Sequence, residues 1–385
     1  MNDSRQASIV ISNYNYGRFL REAIDSALGQ TYANTEVILV DDGSTDESRE
    51  IIASYGERII RVLKENGGMA STYNAGFAAS RGEVIFFLDS DDVLLPSAVE
   101  EALPLFDSAE VAKAHWPLWV VDGRGARTGG MIPAKALGQG NLRSLTIAEG
   151  PDCYISPPTT GNAWSRKVLQ EILPAPETEY KQHADTYLTT LAPIFGSIKR
   201  ISEPQGCYRL HGQNDYACET ADEKNRRNLE IYHHRCVALS KYLRASGVDI
   251  DPEVWKKGNT HYEWMRRLRM STEEIKQVIP TGEAYILVDE DQWGDKWGGG
   301  EVVGVRRHIP FLERGGQYWG PPPDDATAIE ELKRLRRQGA NFIVFAWPSF
   351  WWLDFYSEFH RYLRSEFRCI LENDRILAFS LWPKV

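Results

Sequence analysis

The feature that most constrains the fold is a repeated order of strand, polar turn and helix in the first hundred residues. Short apolar runs typical of buried strands alternate there with stretches whose apolar residues recur at helical spacing. The strands are predicted at residues 8–12, 36–40, 59–63 and 83–88. Because parallel strands need crossover connections, this alternation predicts a mostly parallel sheet with helices on both faces.

Acidic clusters follow the second and the fourth of these strands. Residues 41–46 have the sequence DDGSTD, and residues 89–92 have the sequence DSDD. Ligands of open α/β sheets bind in the crevice at the carboxyl ends of the strands. We therefore expect both clusters to line one binding crevice.

The pattern changes along the chain, and the sequence predicts three regions. Residues 1–217 contain the α/β pattern, within which residues 129–140 are predicted to be an irregular loop of small residues. Residues 218–280 are predicted to form a helical linker or subdomain. Residues 281–385 restart the α/β pattern and predict a small accessory domain without catalysis, in which Trp382 belongs to the core.

Composition narrows the partners and the compartment. The net charge of −10 provides no chain-wide attraction to nucleic acid. The five cysteines include no C-x-x-C pair and are interpreted as reduced thiols of a cytosolic protein. The longest apolar stretch, residues 342–353, is shorter than the ~20 residues of a membrane helix, and the first residues lack a signal-peptide core. We expect a cytoplasmic protein with no transmembrane segment, and peripheral association with the inner face of a membrane stays open.

Five motifs within residues 7–215 are similar, in order and spacing, to those of family 2 glycosyltransferases. They are SIVISNYNYGRFLREAIDSALGQTY, EVILVDDGSTDES, ENGGMASTYNAGFAASRGEVIFFLDSDD, HADTYL and YRLHG. The resemblance implies the GT-A nucleotide-diphospho-sugar transferase fold, with a Rossmann-like mixed sheet and helices on both faces. It does not extend to the C-terminal region.

The same resemblance implies an activity. The expected reaction is a metal-dependent, inverting transfer of a hexosyl group from a nucleotide-diphosphate sugar, with UDP as the expected nucleotide. The expected acceptor is a hydroxyl of a glycan or of a lipid-linked molecule, in surface polysaccharide biosynthesis.

The acidic cluster at residues 89–92 is the predicted metal site. A divalent cation that bridges the diphosphate oxygens absorbs the charge that develops as the glycosidic bond breaks. Asp89 and Asp91 supply hard oxygen ligands for Mn²⁺ or Mg²⁺, and the resemblance implies that Asp91 binds the cation directly. His211 matches a histidine that coordinates the cation in some relatives, with a structural role as the alternative. Asp92 is predicted to cap the following helix.

The resemblance also assigns residues to the donor. Asp42 would accept the imide N–H of a uracil ring, with turn chemistry as the alternative. Asn74 can instead hydrogen-bond a neighbouring loop, and Arg209 can instead form a local ion pair. The predicted donor-binding residues are Ser12, Tyr14, Asp42, Asn74, Ser90 and Arg209.

Tyr73 stands where the family often has a basic residue that reaches toward the donor. The donor phosphates are therefore expected to depend on the cation or on another base. Lys64 and Arg81 are the candidates for that base.

Inverting transfer needs a carboxylate that takes the proton of the acceptor hydroxyl during attack. Asp185, at the start of a predicted helix, is the candidate for this catalytic base, and an N-cap role is the alternative. Related enzymes usually carry Glu-Asp at this point, whereas Ala184 precedes Asp185 here.

Residues 157–164 lie where the family lines its acceptor pocket. Gly161, Asn162 and Trp164 are the predicted acceptor contacts, because glycine allows close approach and the indole ring offers a flat face to a sugar. The alternative is an ordinary loop over a buried tryptophan.

Two other functional classes stay open at this point. A binding module could hold a nucleotide sugar or glycan without turnover, since a fold does not guarantee chemistry. The departures at Tyr73 and Ala184 favour this alternative. A nucleotidyltransferase would share the phosphate site at the strand ends, but the segments around Asp185 and His211 argue against it.

Overall fold

The computed structural model describes residues 5–212, 214, 221–293 and 306–383. The chain forms two compact units, one of residues 1–218 and 230–259 and the other of residues 219–229 and 260–385. Four cysteines are free thiols, and Cys218 lies outside the described residues.

The first unit contains most of the strands and helices. Its strands are β1 (Ala7–Asn13), β2 (Thr35–Asp42), β3 (Ile60–Lys64), β4 (Val84–Asp89), β5 (Val93–Leu94), β6 (Val111–His115), β7 (Leu118–Asp122), β8 (Arg127–Ile132), β9 (Asn162–Ser165), β10 (Ser197–Arg200) and β11 (Gly206–Leu210). Its helices are α1 (Gly17–Leu28), α2 (Ser48–Ser54), α3 (Met69–Ala79), α4 (Ala98–Ala102), α5 (Arg143–Glu149), α6 (Arg166–Ile172), α7 (Ala184–Phe195), most of α8 (Ala221–Ala245) and α9 (Pro252–Gly258).

The main sheet of this unit has seven strands in the order β10-β6-β9-β4-β1-β2-β3. Strands β4, β1, β2 and β3 are parallel to one another, whereas β9 is antiparallel to β4 and β6. A second sheet has four strands in the order β5-β11-β7-β8. The predicted mixed α/β architecture is therefore confirmed.

Helices cover both faces of the main sheet. Ile9 and Ile11 of β1 share a buried cluster with Leu20 of α1. Val10 points to the opposite face, where a Cβ on Gly76 of α3 would collide with the Val10 side chain. Successive residues of a strand point to opposite faces, so α1 and α3 pack on different sides and the strand ends between them stay open.

Several strands of this unit differ from the sequence prediction, and β8 and β6 show why. Residues 127–132 form β8, although residues 129–140 were expected to be a loop, because this exposed edge strand contains Gly129 and Gly130 and shows no apolar alternation. Strand β6 was not predicted at all, because it buries Lys113 and His115 where an apolar residue is expected.

The second unit is a smaller α/β structure. Its strands are β12 (Ala284–Val288), β13 (Arg307–Pro310), β14 (Glu313–Arg314), β15 (Gln317–Tyr318), β16 (Ala340–Ala346), β17 (Phe367–Glu372) and β18 (Ile376–Pro383), and its further helices are α10 (Thr260–Val278), α11 (Asp325–Arg337), α12 (Trp351–Phe355) and α13 (Ser357–Glu366). The five-stranded sheet has the order β13-β12-β16-β18-β17. The expected small α/β region is present, but Trp382 is 58% exposed and does not belong to its core.

None of the helices within the described residues has both the length and the apolar content of a membrane-spanning helix.

Candidate functional site

A cavity of about 640 Å³ opens at the carboxyl ends of β1, β2 and β4. The parallel register pairs Ser12 with Asp89 and with Val40, and so brings these strand ends together. Predicted site residues that line the cavity are Ser12, Tyr14, Asp42, Asp89, Ser90, Asp91 and Asp185. The structure thus collects both acidic clusters and the candidate base in one place.

Ser12 and Tyr14 form one wall of the cavity. The Ser12 hydroxyl is buried and has no hydrogen-bond partner among the described residues, while Tyr14 is 47% exposed. A buried hydroxyl without a partner costs free energy unless a ligand or water satisfies it. This wall therefore offers a polar group and an aromatic face to a bound molecule.

Asp42 holds the glycine loop that follows β3. Its carboxylate accepts hydrogen bonds from Lys64 Nζ at 2.6 Å and from the backbone N–H groups of Gly67 at 2.9 Å and Gly68 at 2.7 Å. Gly68 has a φ of 85°, a conformation that favours glycine. Asp42 thus has the turn chemistry of the alternative interpretation and also faces the cavity. Lys64 is engaged by Asp42, and Arg81 is not among the residues that line the cavity.

Asp91 is oriented by side chains that follow β11. His211 Nε2 lies 3.0 Å from Asp91 Oδ2, and the Asn214 amide nitrogen lies 3.5 Å from the same oxygen. The His211 side chain is 1% exposed and packs against Phe19 and Tyr16. His211 therefore lies behind Asp91, outside the cavity lining, and fixes the direction of its carboxylate.

Asp92 does not cap a helix as predicted. It is buried and accepts hydrogen bonds from Thr160 Oγ1 at 2.7 Å and from the backbone N–H of Arg209 at 2.9 Å. Burial, together with the charges of Asp91 and Asp89, raises the pKa of Asp92 well above its ordinary value. Asp92 thus joins the end of β4 to β11 and holds the acidic cluster in place.

Two residues predicted to contact the donor make the local interactions that were the alternative interpretation. Arg209 is buried, donates through Nη2 to Glu22 at 2.5 Å, and donates through Nε to the Asp91 carbonyl at 2.8 Å. Asn74 exchanges hydrogen bonds with the backbone of Ala175 at 3.0 and 2.8 Å. Neither Arg209 nor Asn74 lines the cavity.

Asp185 lies in the first turn of α7 and lines the cavity. The N-cap residue is His183, with a left-handed φ of 62°, so the N-cap alternative for Asp185 is wrong. Burial raises the pKa of the Asp185 carboxyl, and the backbone N–H of Thr186 and the cations Arg235 and Lys113 oppose that rise. An acid with a raised pKa at the edge of a cavity has the character of a proton acceptor.

The predicted acceptor residues do not line the cavity, although residues a few positions earlier in the chain do. Gly161, Asn162 and Trp164 are buried, because β9 runs between β4 and β6 inside the sheet. The Asn162 amide donates to the Pro158 carbonyl at 2.7 Å. The preceding residues, 156–159, line the cavity in their place, so the predicted loop borders the cavity through its first residues.

Sequence reasoning missed several lining residues. Lys181 carries the only lysine or arginine side chain among the described residues of the lining, and its carbonyl accepts a hydrogen bond from the Met69 backbone at 2.7 Å. Its position two residues before the HADTYL motif was the available signal. Further residues that were not assigned are Tyr16, Asn66, Met69, Thr72, Ser156, Gln182, His183, Tyr208 and Asn214.

Asp89 and Asp91 are the candidate ligands of the expected cation. Among the described residues, no group of three or more His, Cys, Asp or Glu side chains could hold a metal ion. Magnesium in nucleotide sites is usually bound by one or two carboxylates, water and the substrate phosphates. Asp89 and Asp91, both on the cavity lining, match that donor set, so the residues present fit a cation that arrives with a diphosphate.

Comparisons with known proteins agree with this geometry. Residues 8–137 match the family model described as Glycosyl transferase family 2. An uncharacterized glycosyltransferase of Nostoc sp. (strain PCC 7120) is 35% identical over 213 residues, which cover 54% of this chain and 66% of the relative. Glycosyltransferase GlyG of Streptococcus pneumoniae is 44% identical over 101 residues, which cover 25% of this chain and 34% of that protein. The chain therefore spans less than two thirds of the length of these relatives.

Solved structures show a remote likeness. S. aureus TarS, residues 1–349, is 16% identical with a TM-score of 0.48, and the match covers 78% of this chain and 81% of that chain. Glucosyl-3-phosphoglycerate synthase of Mycobacterium tuberculosis, in complex with Mn²⁺, UDP and phosphoglyceric acid, is 19% identical with a TM-score of 0.43, covering 61% and 79%.

The predicted family resemblance is confirmed. Residues 8–137 of this chain match glycosyl transferase family 2, and the similarity to the Nostoc relative extends over 213 residues.

Proposed function

We propose that the chain is a metal-dependent, inverting glycosyltransferase that uses a nucleotide-diphosphate sugar, with UDP as the nucleotide. The observation that carries the proposal is the cavity at the strand ends, where Asp89 and Asp91 lie on the same lining as Asp185. An acidic pair suited to a cation and a separate carboxylate suited to accept a proton are the two parts that this reaction needs.

Each group has a distinct task in the proposed reaction. Ser12, Tyr14 and Asp42 bind the nucleoside, and His211 keeps the Asp91 carboxylate turned toward the diphosphate. A bound Mn²⁺ or Mg²⁺ supplies charge that stabilises the nucleoside diphosphate as a leaving group. Asp185 takes the proton of the acceptor hydroxyl while the hydroxyl oxygen forms a bond to the anomeric carbon.

The wider setting is part of the same proposal. The acceptor is a glycan or a lipid-linked molecule in surface polysaccharide biosynthesis, and transfer takes place in the cytoplasm. A lipid-linked acceptor would bring the chain to the inner face of a membrane.

Lys181 is expected to compensate for the missing basic residue at Tyr73. A charge-assisted hydrogen bond from lysine to a phosphate contributes about 1.5–3 kcal/mol. The change Lys181→Met is therefore expected to weaken UDP binding by about 10-fold or more, and the loss should shrink at high salt because added ions screen the charge. Titration calorimetry of UDP with Mn²⁺ measures this effect.

Lys167→Met is the matched control, because Lys167 is exposed on α6 and does not line the cavity. Equal UDP affinity in the wild type and in both variants would contradict the assignment of Lys181 to the diphosphate.

The proposed function is tested by product analysis. The protein is incubated with a panel of UDP-, GDP- and dTDP-sugars, with Mn²⁺ or Mg²⁺, and with glycan or lipid extracts as acceptors. We expect metal-dependent release of a nucleoside diphosphate from one donor class. Release of pyrophosphate would instead identify a nucleotidyltransferase, and tight donor binding without turnover would identify a binding module.

A further inference from the structure

A lysine is buried in the sheet next to the cavity. Lys113 lies in β6 and is fully buried. Its Nζ donates to Ser156 Oγ at 2.6 Å, and it lies 5.4 Å from the ring centre of Tyr154 and 5.1 Å from that of Trp164. Burial of an ammonium group is costly, so this lysine needs an explanation that packing alone does not supply.

The acid that acts on Lys113 is the candidate base. Burial lowers the pKa of the Lys113 amine well below its ordinary value, and the negative charge of Asp185 opposes this by favouring the ammonium form. Among the described residues, Lys113 has no carboxylate within ion-pair distance. Among those residues, no other acid therefore neutralises the charge of Lys113 that acts on Asp185.

Other charged and titratable groups lie near this pair. Arg235, from α8, also favours the Asp185 carboxylate, but its guanidinium is already bound to Asp152 at 2.7 Å. His115 follows Lys113 on β6, and burial and the Lys113 charge lower the pKa of His115 to about 2, so its ring is neutral. Tyr73, from α3, senses the Asp185 charge and stays protonated because burial raises its pKa.

The hydrogen bond from Lys113 determines what Ser156 can do. Because Ser156 Oγ accepts from Lys113, the hydroxyl proton of Ser156 must point elsewhere. The other hydrogen bond of Ser156 within the described residues is a long one, donated to the Pro157 carbonyl at 3.4 Å. Ser156 lines the cavity together with Asp185, so its proton is available to an oxygen bound there.

We propose that Ser156, held in place by Lys113, binds the nucleophilic oxygen of the acceptor and directs the acceptor proton to Asp185. This inference rests on the proposed glycosyltransferase function. The acceptor oxygen forms the new bond to the anomeric carbon, and the bond from that carbon to the diphosphate breaks. The bonding electrons leave with the nucleoside diphosphate, and the acceptor proton moves to Asp185. Ser156 is then an acceptor-binding residue, and Lys113 is a positioning residue.

The test compares Ser156→Ala, Ser156→Thr and Lys113→Met with the wild type, using the donor identified by the panel and its acceptor. We expect Ser156→Ala to lower kcat/KM for the acceptor by roughly 10-fold, with donor affinity unchanged, and Ser156→Thr to recover part of the loss because it keeps the hydroxyl. Lys113→Met should move the acidic limb of the pH–rate profile to higher pH, because the carboxylate of Asp185 loses a stabilising cation.

Lys256→Met is the matched control, because Lys256 is also buried but donates to Glu253 and His233 and does not line the cavity. Its pH–rate profile should match that of the wild type. Full acceptor kinetics in Ser156→Ala, or an unmoved acidic limb in Lys113→Met, would overturn this inference and leave the proposed function intact. A wild-type protein that transfers no sugar from any donor would contradict the proposed function itself.

A readout without turnover guards against a variant that merely disturbs folding. Since the pKa of Lys113 is lowered in the fold, the unfolded chain binds more protons than the native state between that lowered pKa and 10.5. Stability therefore rises with pH across this window. Lys113→Met should flatten that rise in unfolding experiments, and an unchanged slope would contradict the buried position of Lys113 on which the placement of Ser156 depends.

Discussion

Asp185→Asn is expected to lower the rate of sugar transfer by about 10²- to 10⁴-fold, the usual contribution of a general base. Asparagine has the shape of the protonated acid but cannot take the acceptor proton. Asp185 lines the cavity, but the nucleoside is proposed to bind Ser12, Tyr14 and Asp42, so UDP affinity should change little. Transfer rates with saturating donor, paired with calorimetry of UDP binding, measure both quantities.

The same variant should not be less stable than the wild type at neutral pH. Because the pKa of Asp185 is raised in the fold, the native state binds more protons than the unfolded chain between 3.8 and the raised value. Stability therefore falls as pH rises through this window. Asparagine avoids that loss, so Asp185→Asn should unfold at or above the wild-type midpoint at pH 7, with the difference vanishing in acid.

Asp107→Asn is the control for this experiment, because Asp107 is an exposed acid paired with Arg5 and is not part of the cavity lining. Wild-type transfer rates in Asp185→Asn would eliminate Asp185 as the base. Transfer by the wild type that continues undiminished below pH 4 would contradict it as well, because a base with a raised pKa must be protonated there.

Asp91→Asn is expected to reduce transfer by about 10²- to 10³-fold, since charge stabilisation by a cation contributes several kcal/mol. The amide oxygen can still accept the hydrogen bond from His211 Nε2, so the local structure should persist while a strong cation ligand is lost. UDP should then bind with nearly the same affinity in Mn²⁺ and in a chelator, whereas the wild type should need the cation. Calorimetry under both conditions measures this difference.

A stimulation by Mn²⁺ that is equal in the wild type and in Asp91→Asn would contradict the assignment of Asp91. Asp107→Asn again provides the control for loss of an acidic side chain.

Much of the α/β core could be predicted because its strands are continuous apolar runs that end in acidic turns. The predicted helix at 184–195 and the predicted strand at 284–288 coincide with α7 and β12. Strand β6 escaped prediction for a physical reason, because Lys113 and His115 are buried by specific partners rather than by apolar character. Periodicity cannot reveal a polar residue whose partner lies 43 positions away in the chain, as Ser156 does from Lys113.

The candidate site shows the same limit. The order of the motifs predicted that the acidic clusters lie together, because residues at the carboxyl ends of neighbouring parallel strands meet. The family resemblance, and not strand geometry, added Asp185, which lies in the first turn of α7. It could not distinguish Arg209, which pairs with Glu22, from a donor contact. It also selected Trp164 and did not identify Ser156, because burial of β9 between two strands depends on the full sheet order. Whether such a residue faces the cavity depends on its contacts in the folded chain, which the sequence pattern does not show.

The most direct test of the central claim is the configuration of the sugar first released from an α-linked UDP-sugar when water replaces the acceptor. Proton NMR during the first minutes, with Mn²⁺ present, distinguishes the anomers before they equilibrate. We expect initial release of the β-anomer together with UDP, because in the proposed inverting reaction the attack directed by Asp185 comes from the face opposite the diphosphate. Initial release of the α-anomer would contradict the inverting reaction, and release of pyrophosphate would contradict glycosyl transfer altogether.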